Sequence, residues 1–190
     1  MSDPAMALGG AKAAGVIAVR EGAPRGMITL RGDLSAKELR NAATGVAGVD
    51  FPEPVTANCV GERGICWMSP DEVLVLLPHD TVEAAVSSIA RTLKGTHHMA
   101  VNVSDARAVF ELEGEGAVIR DTLAKLTPAD MRPAALPVLA MRRTRLAQVP
   151  AAFFFHSEGY AELICFRSVA GYVFDLLKNA AAPGAEVGHF

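Results

Sequence analysis

Arginine is the residue type whose spacing in this chain could do chemistry. Arg142, Arg143 and Arg145 lie close together, and Arg107 and Arg167 border predicted strands. Guanidinium groups at such spacing can fork onto the carboxylates or phosphates of a ligand or partner. Arginine is also enriched at protein interfaces, where lysine is depleted. The five are therefore candidate partner contacts, against the plainer reading of a solvated strand face with local ion pairs.

Other constellations carry less. Gly114-Glu115-Gly116 follows a strand and opens a helix, as a dinucleotide fingerprint would, but its third glycine position is Ile119 and its carboxylates would repel a pyrophosphate. It reads as a tight strand-to-helix turn. His97-His98 has no Cys or Glu following at ligand spacing, and neighbours on a strand face opposite ways, so no metal is expected. No serine lies in a G-x-S-x-G elbow. Asp71-Glu72 falls in a turn and Glu111/Glu113 alternate along a strand, so neither pair needs an acid–base role. No active site of its own is expected.

Composition narrows the class. The 190 residues are 51% hydrophobic and 21% charged, with a mean hydropathy of +0.25. A chain this apolar is expected to bury surface against a partner or to hold a compact core beneath a sparse surface. A net charge of −3 gives no field for nucleic acid. No apolar run approaches the roughly 18 residues of a membrane span. Met1 to Gly15 lacks a secretory pattern. Cys59, Cys66 and Cys165 are scattered among apolar neighbours and read as buried free thiols, so a cytoplasmic location is expected.

The elements that must position these residues repeat. Met27 to Gly32 and Val109 to Gly114 each read as a strand ending in glycine, followed by a helix. The first helix opens with Ser35 and Glu38 at capping-box spacing; the second carries Val118, Ile119, Leu123 and Leu126 on one stripe. Hairpin patterns follow at Cys66 to Leu77 and Phe153 to Phe166, turning at Ser69-Pro70-Asp71-Glu72 and His156-Ser157-Glu158-Gly159. A second helix closes each copy: Thr81 caps Val82, Ala85, Val86 and Ile89, and Ser168 caps Val169, Tyr172, Val173 and Leu176. Arg143 to Val149 alternates as a strand that Pro150 breaks, and Met99 to Val103 is a further strand. The expectation is an α+β fold of duplicated strand–helix–hairpin–helix units with pseudo-two-fold symmetry. Its parts are a flexible N-terminal arm (1–26), repeats at 27–98 and 99–179, and a C-terminal tail (180–190).

Val103-Ser104-Asp105-Ala106-Arg107 with Phe110 to Gly114, Arg143 to Phe153, and Glu162 to Ala170 resemble the gamma subunit family of heterotetrameric sarcosine oxidase. The likeness runs from about Met27 to Leu177. It implies a complex that oxidises sarcosine to glycine with oxygen, making hydrogen peroxide and, with tetrahydrofolate, methylenetetrahydrofolate. It also implies that this chain binds no cofactor, that FAD, FMN, NAD and zinc sit in partner subunits, and that the alpha subunit, with beta and delta, is the partner. The implied fold is that of the folate-dependent aminomethyltransferases, here without their C-terminal barrel. In the glycine-cleavage T-protein pattern a hairpin glutamate helps hold the pterin, and Glu162 stands at that position. Phe153-Phe154-Phe155-His156 replaces the glycine-rich lead-in. A strand residue bonded to a nearby donor is the other reading of Glu162. The resemblance implies a non-catalytic structural subunit; a folate-binding module and a homodimer of the isolated chain are the competing readings.

Overall fold

The computed structural model describes residues 5–190. In chain order its elements are β1 (Lys12–Ala14), β2 (Ala18–Glu21), β3 (Arg25–Gly32), α1 (Lys37–Ala47), β4 (Ala57–Val60), β5 (Arg63–Ser69), β6 (Glu72–Pro78), α2 (Val82–Thr92), β7 (His98–Asn102), β8 (Arg107–Glu113), α3 (Gly116–Ala124), β9 (Arg142–Leu146), β10 (Val149–Ser157), β11 (Tyr160–Phe166) and α4 (Ala170–Ala180). They divide into two units. One is Arg25–Asp105; the other is the described chain up to Pro24 together with Ala106 to Phe190.

The Arg25–Asp105 unit is an antiparallel sheet of order β4-β5-β6-β3-β7 with α1 and α2 on one face. Alternation along the strands sends Ile28, Leu30, Ile65, Val73, Val75 and Leu77 to that face. There they meet Leu39, Ala42, Ala43 and Ala47 of α1 and the expected stripe Val82, Ala85 and Ile89 of α2. The hairpin forms as expected, with a register shift between Trp67 and Ser69. The capping box does not form. Ser35 instead donates its N–H and hydroxyl to Asp33 Oδ1 at 2.9 and 2.6 Å, an Asx-type turn that outcompetes the cap, and Ala36 occupies the N-cap position. Those bonds hold the Asp33 carboxyl below its ordinary range. Thr81 holds the N-cap position of α2, but its hydroxyl donates to the Pro78 carbonyl at 2.8 Å.

The strand expected within the second repeat belongs here. β7 pairs with β3, from Ile28↔Asn102 to Gly32↔His98, so the anticipated 98/99 boundary cuts a strand. A linker strand's pattern specifies which side chains face inward, not which sheet edge it joins.

The other unit is an antiparallel sheet of order β1-β2-β8-β11-β10-β9. Phe110, Leu112, Phe153, Phe155, Leu163 and Cys165 point from it onto α3 (Ile119, Leu123) and α4 (Ala170, Val173, Leu177). Each such Leu or Phe burial contributes about 1.5–3 kcal/mol. Four expectations change. Residues 12–14 and 18–21 of the anticipated arm are strands: β2 pairs with β8, Val19 is core, and buried Glu21 accepts the N–H groups of Leu8 and Gly10. Residues 1–4 of that arm lie outside the described residues. Arg143 to Val149 is a strand and a turn, and Pro150 continues β10; Pro150 pairs with Arg145 of β9 alone, because pairing with β11 starts at Ala151. The N-cap of α4 is Val169, its buried face runs Ala170, Val173, Leu177 and Ala180, and Tyr172 is exposed.

The segment after α4 docks on α3. Asp121 accepts the N–H groups of Gly188 and His189, and Lys125 Nζ donates to the carbonyls of Ala180 (2.6 Å) and Ala185 (2.8 Å).

Candidate functional site

The five arginines do not form one cluster. Arg107 lies with its guanidinium carbon 4.1 Å from the Phe166 ring centroid, across the β8–β11 pair. Arg167 forks onto the carbonyls of Ala5 (2.7 Å) and Met6 (3.1 Å), within its own unit. Arg142 bonds the Met141 carbonyl at 3.1 Å and the Ala135 carbonyl. Arg143 and Arg145 are exposed, two apart on the edge strand β9, and therefore share a face of the sheet.

A buried arginine had escaped the sequence reading. Arg120 of α3 is 1% exposed. Its Nη1 donates to the carbonyls of Met131 and Leu136, both at 2.9 Å, its Nη2 lies 3.3 Å from Glu158 Oε2, and its carbon sits 4.3 Å from the Phe155 centroid. The side chain ties the proline-rich segment after α3 to the helix. In sequence it is one polar residue beside Ile119 in an apolar stripe, which gives no sign of burial.

Glu162 lies at the middle of the second unit's sheet. β11 sets it opposite Phe154 of β10 and Glu111 of β8, on the face away from α3 and α4. It has no exposed surface, and His156 Nε2 is 3.2 Å from its Oε2. The His156 ring centroid is 4.5 Å from that of Phe154 and 5.1 Å from that of Tyr160. Glu111 is held by Arg20 of β2, which also reaches Glu113 at 3.3 Å; the bond and charge of Glu111 raise the Arg20 pKa. Among the described residues, the buried side-chain nitrogen or oxygen without a partner is Arg120 Nε, and no oxygen of Glu162 is in that state.

The remaining candidates are quiet. Gly114-Glu115-Gly116 is the strand-to-helix turn expected. Asp71 and Glu72 are both held by Arg31, at 3.6 and 3.3 Å. His97 and His98 border a recess of about 500 Å³ with Arg31, Asp33, Asp71 and Met99. Among the described residues no group of three or more His, Cys, Asp or Glu is placed to hold a metal ion. None of the three cysteines is in a disulfide, and burial pushes the Cys165 thiol up to about 12. No helix among the described residues is long and apolar enough to cross a membrane.

Comparison with known proteins places this fold. The sarcosine oxidase, gamma subunit family matches residues 31–183. The chain belongs to that family. A segment of 105 residues is 31% identical to sarcosine oxidase subunit gamma of Corynebacterium sp. (strain P-1), covering 54% of this chain and 50% of that relative, so the match spans about half the relative's length. Heterotetrameric sarcosine oxidase from Corynebacterium sp. U-96, solved in complex with pyrrole 2-carboxylate, contains a chain of the same fold. The TM-score is 0.77 at 25% identity, over 90% of this chain and 87% of that one. Aminomethyltransferase T of the glycine cleavage system from Bartonella henselae shares the fold alone, with a TM-score of 0.59 at 10% identity, over 86% of this chain and 46% of that one. The mixed α+β architecture is thus common to the family and to the aminomethyltransferase.

A folate held by Glu162, the expectation drawn from the sequence resemblance, does not fit these residues. The carboxylate has no accessible surface, already meets an imidazole, and leaves no orphaned acceptor for a pterin N–H.

Proposed function

We propose that the chain is the non-catalytic, structural subunit of a heterotetrameric sarcosine oxidase. It would support the complex that oxidises sarcosine to glycine, with hydrogen peroxide and methylenetetrahydrofolate as products. The observation that carries this reading is the shared fold over 90% of the chain with a subunit of a heterotetrameric sarcosine oxidase. In this reading FAD, FMN, NAD and zinc belong to partner subunits, tetrahydrofolate is handled elsewhere in the complex, and the alpha subunit, beside beta and delta, is the contact. A cytoplasmic setting accords with three cysteines outside any disulfide. Of the arginines, Arg143 and Arg145 on an exposed edge strand are the best-suited partner contacts.

We also infer that the fold is a duplication. In each unit a hairpin leads through a 3₁₀ turn into an eleven-residue helix. Both hairpins shift register at equivalent places, Trp67/Ser69 and Phe155/Ser157, just before their turns.

The test is co-expression of the chain, tagged, with the other subunits. The expected result is recovery of a yellow complex with sarcosine-dependent peroxide production, and loss of its assembly or stability when this chain is omitted. Subunits that assemble and turn over normally without it would reject the reading.

A further inference from the structure

A flat nitrogen heterocycle is held in proteins by aromatic rings against its faces or edges and a carboxylate or carbonyl on its N–H. In the sheet that carries Glu162, those contacts are all made to a side chain of the same hairpin. The His156 imidazole meets the Phe154 ring at 4.5 Å, tilted by 51°, stacks on Tyr160 at 5.1 Å and 27°, and brings Nε2 to 3.2 Å from Glu162 Oε2. Burying a carboxylate costs several kcal/mol unless donors meet it, and His156 is one of the groups that meets Glu162, which has 0% exposure. His156 reaches it while keeping a fifth of its own side chain in solvent, so the imidazole forms the outer end of the arrangement.

We propose that His156 is a built-in occupant of a heterocycle site at Glu162. The imidazole fills the place a ligand ring would take and closes the site, so this chain binds no folate. Removal of the imidazole opens a cavity that takes a free nitrogen heterocycle from solvent, with imidazole itself as the simplest ligand. The contacts all lie on β10, β11 and their turn, so the proposal stands independently of the subunit assignment.

The experiment is thermal unfolding of the full chain and its His156→Ala variant with and without imidazole, alongside calorimetry of the unaltered chain with tetrahydrofolate. The variant is expected to melt lower and to regain a large share of the lost midpoint in imidazole. The unaltered chain should not move, and adding Glu162→Gln to the variant should abolish the rescue. If the variant accumulates only as insoluble chain, its refolding yield from denaturant replaces the midpoint. A yield raised by imidazole supports the proposal and an unchanged yield overturns it. A soluble variant indifferent to imidazole overturns it, as does saturable tetrahydrofolate heat in the unaltered chain that Glu162→Gln removes.

Discussion

The Arg120 guanidinium carbon lies 4.3 Å from the centroid of Phe155, so a cation on α3 is roofed by the aromatic core of β10. Its hydrogen bonds run to two backbone carbonyls, Met131 and Leu136, that belong to a segment without regular structure. Removing the side chain leaves those carbonyls unpaired and a void beside Phe155. Arg120→Ala is therefore expected to cost about 3 kcal/mol or more. The pair with Glu158 is different. Glu158 is largely exposed, so Glu158→Gln should cost about 1 kcal/mol or less. Urea unfolding of both variants decides it, and equal losses would move the weight from the carbonyls to the ion pair.

The same corner depends on a missing side chain. A Cβ at Gly116 would stand 2.4 Å from the Glu158 carbonyl oxygen, in the turn of the β10–β11 hairpin. Backbone on one side and a helix start on the other leave nothing flexible to give way. Gly116→Ala is expected to destabilise by about 1–3 kcal/mol. Gly45, exposed within α1 with nothing within 4 Å of an added Cβ, is the control. There alanine should stabilise by about 0.5–1 kcal/mol. Differential scanning calorimetry of the two variants should give shifts of opposite sign.

This corner also marks how far the sequence could be read. The hairpins were legible because turn residues separate short, almost wholly apolar runs, as at Val73 to Leu77 and Tyr160 to Phe166. Glu162 was read as a strand residue with a nearby donor, and His156 Nε2 lies 3.2 Å from its carboxylate. Arg120 was hidden because its partners are backbone carbonyls, which no side-chain pattern encodes. β2 was hidden because four residues, Ala18-Val19-Arg20-Glu21, are too few to set a period, and the pairing to β8 supplies the order. The directions of the arginines were hidden for a related reason. Proximity in sequence put Arg142 beside Arg143, whereas alternation along β9 sends them to opposite faces.

Thiol chemistry offers a check on burial. Desolvation raises the Cys165 thiol to about 12, against a smaller opposing effect of the Arg107 charge. Near pH 8 almost none of it is thiolate, and the thiolate is the nucleophile. Cys66 is fully buried, whereas Cys59 on β4 is partly exposed. Iodoacetamide at that pH is expected to label Cys59 on the native chain, with Cys66 and Cys165 labelled only after denaturation. Mass spectrometry of the peptides reads the pattern. Rapid native labelling of Cys165 would mean that the β8–β11 region opens readily.

Arg143 and Arg145 yield the prediction that bears most on assembly. Both stand exposed on one face of β9, an edge of the six-stranded sheet. Charges at an interface rim act chiefly on association rate and its salt dependence. The double change Arg143→Glu with Arg145→Glu should leave the chain's melting midpoint within about 0.5 kcal/mol equivalent of its original stability. It should slow capture of the chain by the other subunits, most strongly at low ionic strength. Arg167→Ala should do the reverse, loosening the Ala5–Met6 segment while leaving capture unchanged. If the double variant assembles at the original rate in dilute salt, β9 does not face the partner, and the interface must lie on another surface of the chain.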